Sequence, residues 1–578
     1  MRRRLALFSL LALTLSACGR PGPTPAASGP GDAAFRVLAA EIIADTLRRN
    51  PSYATYLGDH RYDDRLEDFS PTAIAETVSA ARSFRERLDA VDPGTLSSDA
   101  KLDREFLQRQ MDTRVIELDL VRPWTRDADR YTSIATDAVF GLMKRTFAPP
   151  ETRLRAIIAR ERQIPGLLMQ ARTNVSAPPR VFTEIALEQL DGVRRFFAGD
   201  LPRAFAAVTD AALMADFART NAAVLAALDD YKRWLERDLL PRSTGEIALG
   251  ANTYRQYLAA SEMIDTPLDD LLRLVEADRA ANDAEFVATA KAIDPTRTTD
   301  EVFAEITAIH PQVDALLDTT QNTLDALRAF ILEKDLATLP DPAPVRVRET
   351  PPFMRATSSA SMDTPGPFER TTEDAFFYVT LPDPAWSTAE REDFMRQWFY
   401  PMIVNVALHE VYPGHFLQFM YVKSFPSDVR KVFSTASNYE GWAHYAEWMM
   451  VDRGFRSTDR AYKLAQLQDA LLRDVRAIVG IRMHTQGLTI DEATKLFMTL
   501  AHQPATVARA EARRSAGDPL YGYYTLGKLA IRKLRTDYAT ARGSQYSLKD
   551  FHDRFMQVGP LPLPLVREAM LGARGSLF

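Results

Sequence analysis

Residues 405–419 read NVALHEVYPGHFLQF, and the layout of the chain turns on whether this stretch is one helix or two. It carries a His-Glu pair, His409 and Glu410, and a second histidine six positions after the first, His415. Positions about four apart on a helix differ by roughly 40° around the axis, and positions six apart by roughly 240°. His409 and His415 therefore share no face of an unbroken helix. Pro413 supplies a break: it has no N–H for the carbonyl of His409, and its ring clashes there. It also pushes Tyr412 away from helical geometry, while Gly414 permits backbone conformations that other residues resist. A bulged turn would bring His415 beside His409 with Glu410 next to both. The plainer alternative is a helix that ends at Pro-Gly, with His415 merely opening the next element.

The surroundings favour a site. A His-Glu pair with a second histidine four residues after the first presents both rings to one metal ion; here the gap is six and holds Pro-Gly. Five of the eight histidines fall between 409 and 502. Upstream, "STAE" (Ser387–Glu390) is a capping box that restarts helix, and Phe394, Trp398, Met402, Val406 and their neighbours form an apolar stripe leading to His409. Pro401 either kinks that helix or opens a second one. Downstream, residues 438–454 (NYEGWAHYAEWMMVDRG) read as a helix closed by Gly454. Glu440, His444 and Glu447 lie on one face of it, opposite Trp442, Ala446 and Met449. Glu440, at its start, is placed to add a carboxylate to the two histidines; three protein ligands leave a position open for water. Glu447 reads as part of a solvated polar face.

The ends and the composition bound the class. Arg2–Arg4, an apolar run and "LSACG" make the charged, apolar and small-residue regions of a secretory signal, too short for a spanning helix. Cys18, the only cysteine, follows the small residues as in a bacterial lipobox, so lipidation at Cys18 is expected and disulfides are excluded. Residues 1–17 are then the signal peptide, and residues 18–31, rich in Pro, Gly and Ser, a flexible tether. Losing Arg2, Arg3 and Arg4 with the signal takes the formal charge from −6 to −9. No basic run suits nucleic acid or an anionic surface; the one membrane contact expected is the lipid. Gly19 after Cys18 favours an outer-membrane anchor facing the periplasm.

Most of the remainder reads as helix, as in residues 32–50, 220–240 and 300–337. A small β-element interrupts it near 345–381: "VRVRET" alternates, "FFYVTL" is β-branched and aromatic, and "SSASMDTPGP" between them is turn-rich. A second capping box, "TIDE" (Thr489–Glu492), starts a helix near 490. The expected layout is an N-terminal helical region, 32–335, continuous with a region, 336–578, that holds the β-element and the metal-site helices. Nucleophilic hydrolysis fits poorly: there is no Gly-x-Ser-x-Gly, and "SDAK" (Ser98–Lys101) is read as a helix cap because no Lys-Thr-Gly accompanies it.

"HEVYPGHFLQ" followed by "EGWAHYAE" resembles the bacterial domain-of-unknown-function 885 family, whose pattern is His-Glu-x-x-Pro-Gly-His, then Glu-Gly-Trp-Ala and Tyr-Ala-Glu. The resemblance continues through residues 473–493 and 518–535 and, more weakly, through "LGANTYRQYL" (249–258). It implies a mainly α, multi-helix zinc-peptidase-like body that takes a peptide substrate. By the same resemblance, Zn²⁺ is held by His409, His415 and Glu440, with Glu410 as general base. Tyr524 and His484 are the expected oxyanion donors, Tyr521 and Tyr523 rivals of Tyr524, and Arg476 a candidate carboxylate anchor. The chain departs from the family at Phe416, often histidine, and at His444, often leucine; His444 is read as a tolerated substitution. The β-element is a candidate edge for pairing with an extended peptide. Two rival functions remain at the level of sequence: a non-catalytic helical lipoprotein with a vestigial or structural metal site, and a metal-dependent amidase acting on cell-wall peptides. Retention of Glu410 argues against the first, because a structural site needs no base.

Overall fold

The computed structural model describes residues 28–340, 345–351, 355, 358–370, 375–425 and 427–578. The signal segment, Cys18 and the tether as far as residue 27 lie outside the described residues. At the tether's end, Gly31 N–H donates to Thr95 O at 3.0 Å, so the chain is already tied to the body there.

The chain is mainly α-helical with a small three-stranded sheet. The helices that position the site or frame it are α1 (Asp32–Arg49), α2 (Asp129–Lys144), α3 (Ala211–Trp234), α4 (Leu268–Ile293) and α5 (Leu316–Glu333). The strands β1 (Val345–Glu349), β2 (Ala360–Asp363) and β3 (Ala375–Val379) come next. After them follow α6 (Tyr400–Glu410), α7 (His415–Val422), α8 (Ala436–Asp452), α9 (Arg460–Gln486), α10 (Ala505–Gly517), α11 (Tyr523–Arg542) and α12 (Leu548–Val558).

Local chemistry explains most of these boundaries. Both expected capping boxes form: Ser387 with Glu390, and Thr489 with Glu492. Pro401 opens α6 in its first turn, where a missing N–H costs nothing, rather than kinking a longer helix. The run 300–337 is not one helix: it stops at Thr307, passes Pro311, and restarts as α5. The cap at the "SDAK" segment is Ser97, whose hydroxyl accepts from Ala100 N–H. The segment read as turn-rich also contains a strand, β2.

The sheet order is β1-β3-β2, with β1 parallel to β3 (Val345↔Ala375) and β2 antiparallel to it (Ala360↔Val379). The central strand β3, Ala-Phe-Phe-Tyr-Val, is buried along its whole length, as its apolar run requires. β2 is an edge strand, and α6 lies against it.

One hydrophobic cluster draws on α1, α5, the sheet, α6, α8, α11 and α12, so it spans both sides of the 335/336 boundary. A second fills the helices between residues 66 and 239. Within it lie Leu213, Phe217, Val224, Leu228, Tyr231 and Trp234 of α3, a helix apolar and long enough to cross a membrane by composition alone. The helix α9 is buried on nearly every side. Its charged residues Asp469, Arg473, Asp474 and Arg476 are therefore inside the protein and must be paired.

Candidate metal centre

His409 and Glu410 occupy the last turn of α6, and His415 is the first residue of α7. Between them the Tyr412–Pro413 peptide bond is cis. Gly414 N–H donates back to Leu408 O at 3.1 Å, folding the turn onto the end of α6. A Cβ at position 414 would stand 1.7 Å from the carbonyl oxygen of His409. The φ of Gly414 is −75°, so what demands glycine is room for close backbone approach rather than a left-handed conformation. The indole N–H of Trp442 donates to Pro413 O at 2.7 Å and pins the turn from α8. The result is that the two imidazoles meet, with ring centres 4.8 Å apart and planes near perpendicular.

Helix α8 brings the third group. Glu440 Oε2 lies 3.3 Å from Nε2 of His409 and 3.3 Å from Nε2 of His415. One potential ligand atom from each of the three residues falls within 4.8 Å of the others. Ligands about 2.0–2.1 Å from a tetrahedral ion stand roughly 3.3 Å apart, so these groups could hold a divalent ion. Glu440 Oε2 is buried and makes no hydrogen bond among the described residues, as expected of an oxygen aimed at a shared centre rather than at either ring N–H. The side chains of His415 and Glu440 keep 13% and 25% of their exposure, which leaves a way in from solvent.

What fixes Glu440 is the crossing of α8 with α11. A Cβ on Gly441 would lie 2.4 Å from Gly527 Cα, and one on Gly527 would lie 2.1 Å from Ser437 O. Only two glycines let the backbones pass this closely.

Behind the first three residues is a charged cage that the sequence did not disclose. Glu447 is not solvated: it is fully buried and accepts from His409 Nδ1 at 2.6 Å. Its same oxygen pairs with Arg473 at 3.1 Å. Arg473 in turn holds Asp469 at 2.5 Å, and Asp469 accepts from Asn405 of α6 at 2.6 Å. With Nδ1–H committed to Glu447, His409 turns Nε2 toward the centre, the arrangement that orients and strengthens a metal-binding histidine. Burial opposes charge on His409, yet Glu440 and Glu447 outweigh it and push its pKa up to about 10. The two carboxylates thus call for positive charge at this ring, which a proton or a metal ion supplies. Burial also works against Glu440 and Glu447, but His415 and His409 hold the first, and Arg473 and His444 the second, well below the usual carboxylate range. His444 is not among the three converging groups. It is buried and its pKa falls to about 3, through burial and then the nearby Lys528. Its Nδ1 faces Glu447 Oε2 at 3.2 Å, so it helps hold the carboxylate that orients His409. Phe416, the other departure, packs in the core against Tyr412.

Glu410 sits beside the cluster and is not one of the three converging groups. Met362 N–H, on the edge of β2, donates to its Oε2 at 3.1 Å. Burial raises its pKa, which makes it a stronger base than a surface carboxylate. Of the three tyrosines, Tyr521 donates to Glu511 at 3.0 Å and Tyr523 to Asp518 at 2.8 Å. Tyr524 lies with its ring centre 6.3 Å from that of His409. Burial, then Glu440, pushes its pKa up to about 12, so it keeps its proton at neutral pH. His484 is not brought to the centre. It lies eleven residues beyond Arg473 on α9, about 16 Å along the helix, where Nε2–H donates to Ser515 O at 2.9 Å and the ring stacks on Tyr254. Burial drives its pKa down to about 4, so it is a neutral packing histidine. Arg476 is committed to Glu511 through two bonds of 2.7 and 2.8 Å. A cavity of about 1130 Å³ is lined by α1, His60, Phe147 and Glu369 and holds none of these residues.

Comparison with known proteins agrees with the fold and leaves the chemistry open. The family described as "Bacterial protein of unknown function (DUF885)" matches residues 51–570. No curated protein matches the chain. A solved structure from Shewanella oneidensis, provisionally described as a lipoprotein of unknown function, superposes with a TM-score of 0.78 at 24% identity. It covers 93% of this chain and 99% of its own. Another, from Colwellia psychrerythraea and provisionally described as a lipoprotein, gives 0.80 at 16% identity, covering 93% and 98%.

Proposed function

The chain belongs to the DUF885 family, and we propose that it is a zinc-dependent peptidase, hydrolysing peptide bonds with Glu410 as general base. The observation that carries this reading is the convergence of His409 Nε2, His415 Nε2 and Glu440 Oε2, from three separate elements, beside a carboxylate that is not one of the three. Two imidazoles and one carboxylate are a donor set that suits zinc and leaves a coordination position open. A zinc ion held there would act as a Lewis acid and make water nucleophilic near neutral pH.

The remaining work falls to the chain's own residues. Glu410, held by Met362 N–H, accepts a proton from the attacking water as the new C–O bond forms, and returns it to the amine as the C–N bond breaks. Tyr524, whose ring centre lies 6.3 Å from that of His409, is the donor assigned to the oxyanion that develops on the scissile carbonyl. The edge strand β2 adjoins Glu410 through Met362, and its remaining outward backbone groups are ones with which an extended peptide can pair. The expected export segment and Cys18 support a further proposal, that the mature chain is lipid-anchored in the cell envelope, on the periplasmic side of the outer membrane. The description of the two solved structures as lipoproteins agrees with it.

The test is digestion of a degenerate peptide library by the soluble protein, read by mass spectrometry. Wild type should cleave, and Glu410→Gln should lose at least about 100-fold in rate. A fully active Glu410→Gln, or a zinc-loaded wild type that cleaves nothing, would contradict the proposal.

A further inference from the structure

Three arginines stand along the Tyr524 side of the metal centre, and they differ in what holds them. Arg473 is engaged by Glu447 and Asp469. Arg476 is engaged by Glu511 through both nitrogens of its fork, and it lies over the rings of Tyr521 and Tyr524, 4.6 and 5.2 Å from their centres. Arg514, on α10, packs its guanidinium over Tyr521 at 4.8 Å from the ring centre. It has no carboxylate within ion-pair distance among the described residues, and it is exposed. The nearby acids are already occupied: Glu511 accepts from Arg476 and from Tyr521, and Asp518 accepts from Tyr523. Its guanidinium makes no hydrogen bond or ion pair among the described residues, and it stands one aromatic ring beyond Tyr524, whose own ring centre is 6.1 Å from that of Tyr521.

A planar fork, preset by stacking on a tyrosine and lacking an anion, suits bidentate recognition of a carboxylate. An extended peptide rises about 3.4 Å per residue, so a chain whose scissile carbonyl lies at the metal centre reaches Arg514 within a few residues. We propose that Arg514 binds the C-terminal carboxylate of the substrate, making the protein a peptidase that removes a short C-terminal segment. This inference rests on the peptidase reading and adds to it the end of the peptide that is recognised. It also replaces Arg476, whose fork is filled, as the carboxylate anchor.

Two matched hexapeptide libraries decide it, one with free C-termini and one C-terminally amidated. The wild type should cleave the free acids at least about tenfold faster, releasing short C-terminal fragments. Arg514→Ala should bring the two libraries to the same rate by raising KM for the acids, and Arg514→Lys should recover part of the preference. Equal cleavage of acids and amides by wild type, or a preference that survives in Arg514→Ala, would overturn the assignment, whereas a purely structural role would slow both libraries together. If wild type cleaves neither library, the peptidase reading falls, and calorimetry on the same two libraries still judges the anchor. Tighter binding of acids, abolished in Arg514→Ala, upholds it; equal or absent binding refutes it.

Discussion

Glu447 is gripped by His409, Arg473 and His444 at once, so a residue outside the three converging groups sets how one of them is held. A carboxylate behind a ligating histidine fixes its tautomer, and losing that partner typically weakens metal affinity 10–100-fold. Glu447→Gln should therefore bind zinc about 10–100-fold more weakly in competition with a chromophoric chelator while staying folded; unchanged affinity would show that His409 needs no such support. The three converging residues were legible in the sequence because spacing and residue type carry that signal. Glu447 was not, since its burial is set by the packing of α6 and α9 against α8, through His409 and Arg473, and not by the spacing within its own helix. The missed hint was compositional. With Trp442, Ala443, Tyr445, Ala446, Met449 and Met450 all apolar, the middle of α8 leaves little room for water, so an acid there had to be paired. His484 erred the other way: a histidine in a resembling segment is as well explained by its bond to Ser515 and its contact with Tyr254.

Among the elements, the crossing of α8 and α11 governs the site most directly, because the same contact sets the position of both Glu440 and Tyr524. The clash that any Cβ at 527 would make is with backbone, Ser437 O and Gly441 Cα, which cannot turn aside as a flexible side chain can. Gly527→Ala should cost at least about 2 kcal/mol of stability, seen as a lower urea midpoint, and should reduce zinc occupancy as Glu440 moves off. An unchanged midpoint would mean that the helices separate freely and that the crossing does not position the site. Element types were readable wherever local chemistry decides them, as at the two capping boxes and at β3. β2 was hidden because an edge strand written Ala-Ser-Met-Asp alternates over only four residues and has no β-branched or aromatic residue to betray it.

At the scale of the whole molecule, the N-terminal helices help to place the β2 edge beside Glu410. Asp363, at the end of β2, forms ion pairs with Lys144 of α2 at 2.6 Å and with Arg145 at 2.9 Å. A few residues on, Phe368 N–H donates to Leu57 O, and His60 contacts Glu369. Elsewhere Arg430 reaches Asp103 and Asp99 across the same junction. Such pairs join residues hundreds of positions apart and leave no trace in local sequence, whereas the mainly α character of the chain is evident from periodicity alone. All of this converges on one claim, that His409, His415 and Glu440 hold a zinc ion which Glu410 serves without binding. Zinc per chain, measured by mass spectrometry of the purified soluble protein after dialysis, tests it most directly. About one zinc in wild type and in Glu410→Gln, and none in His409→Ala or Glu440→Ala, is the predicted result; a wild type that carries no zinc, or a His409→Ala protein that keeps it, would contradict the account.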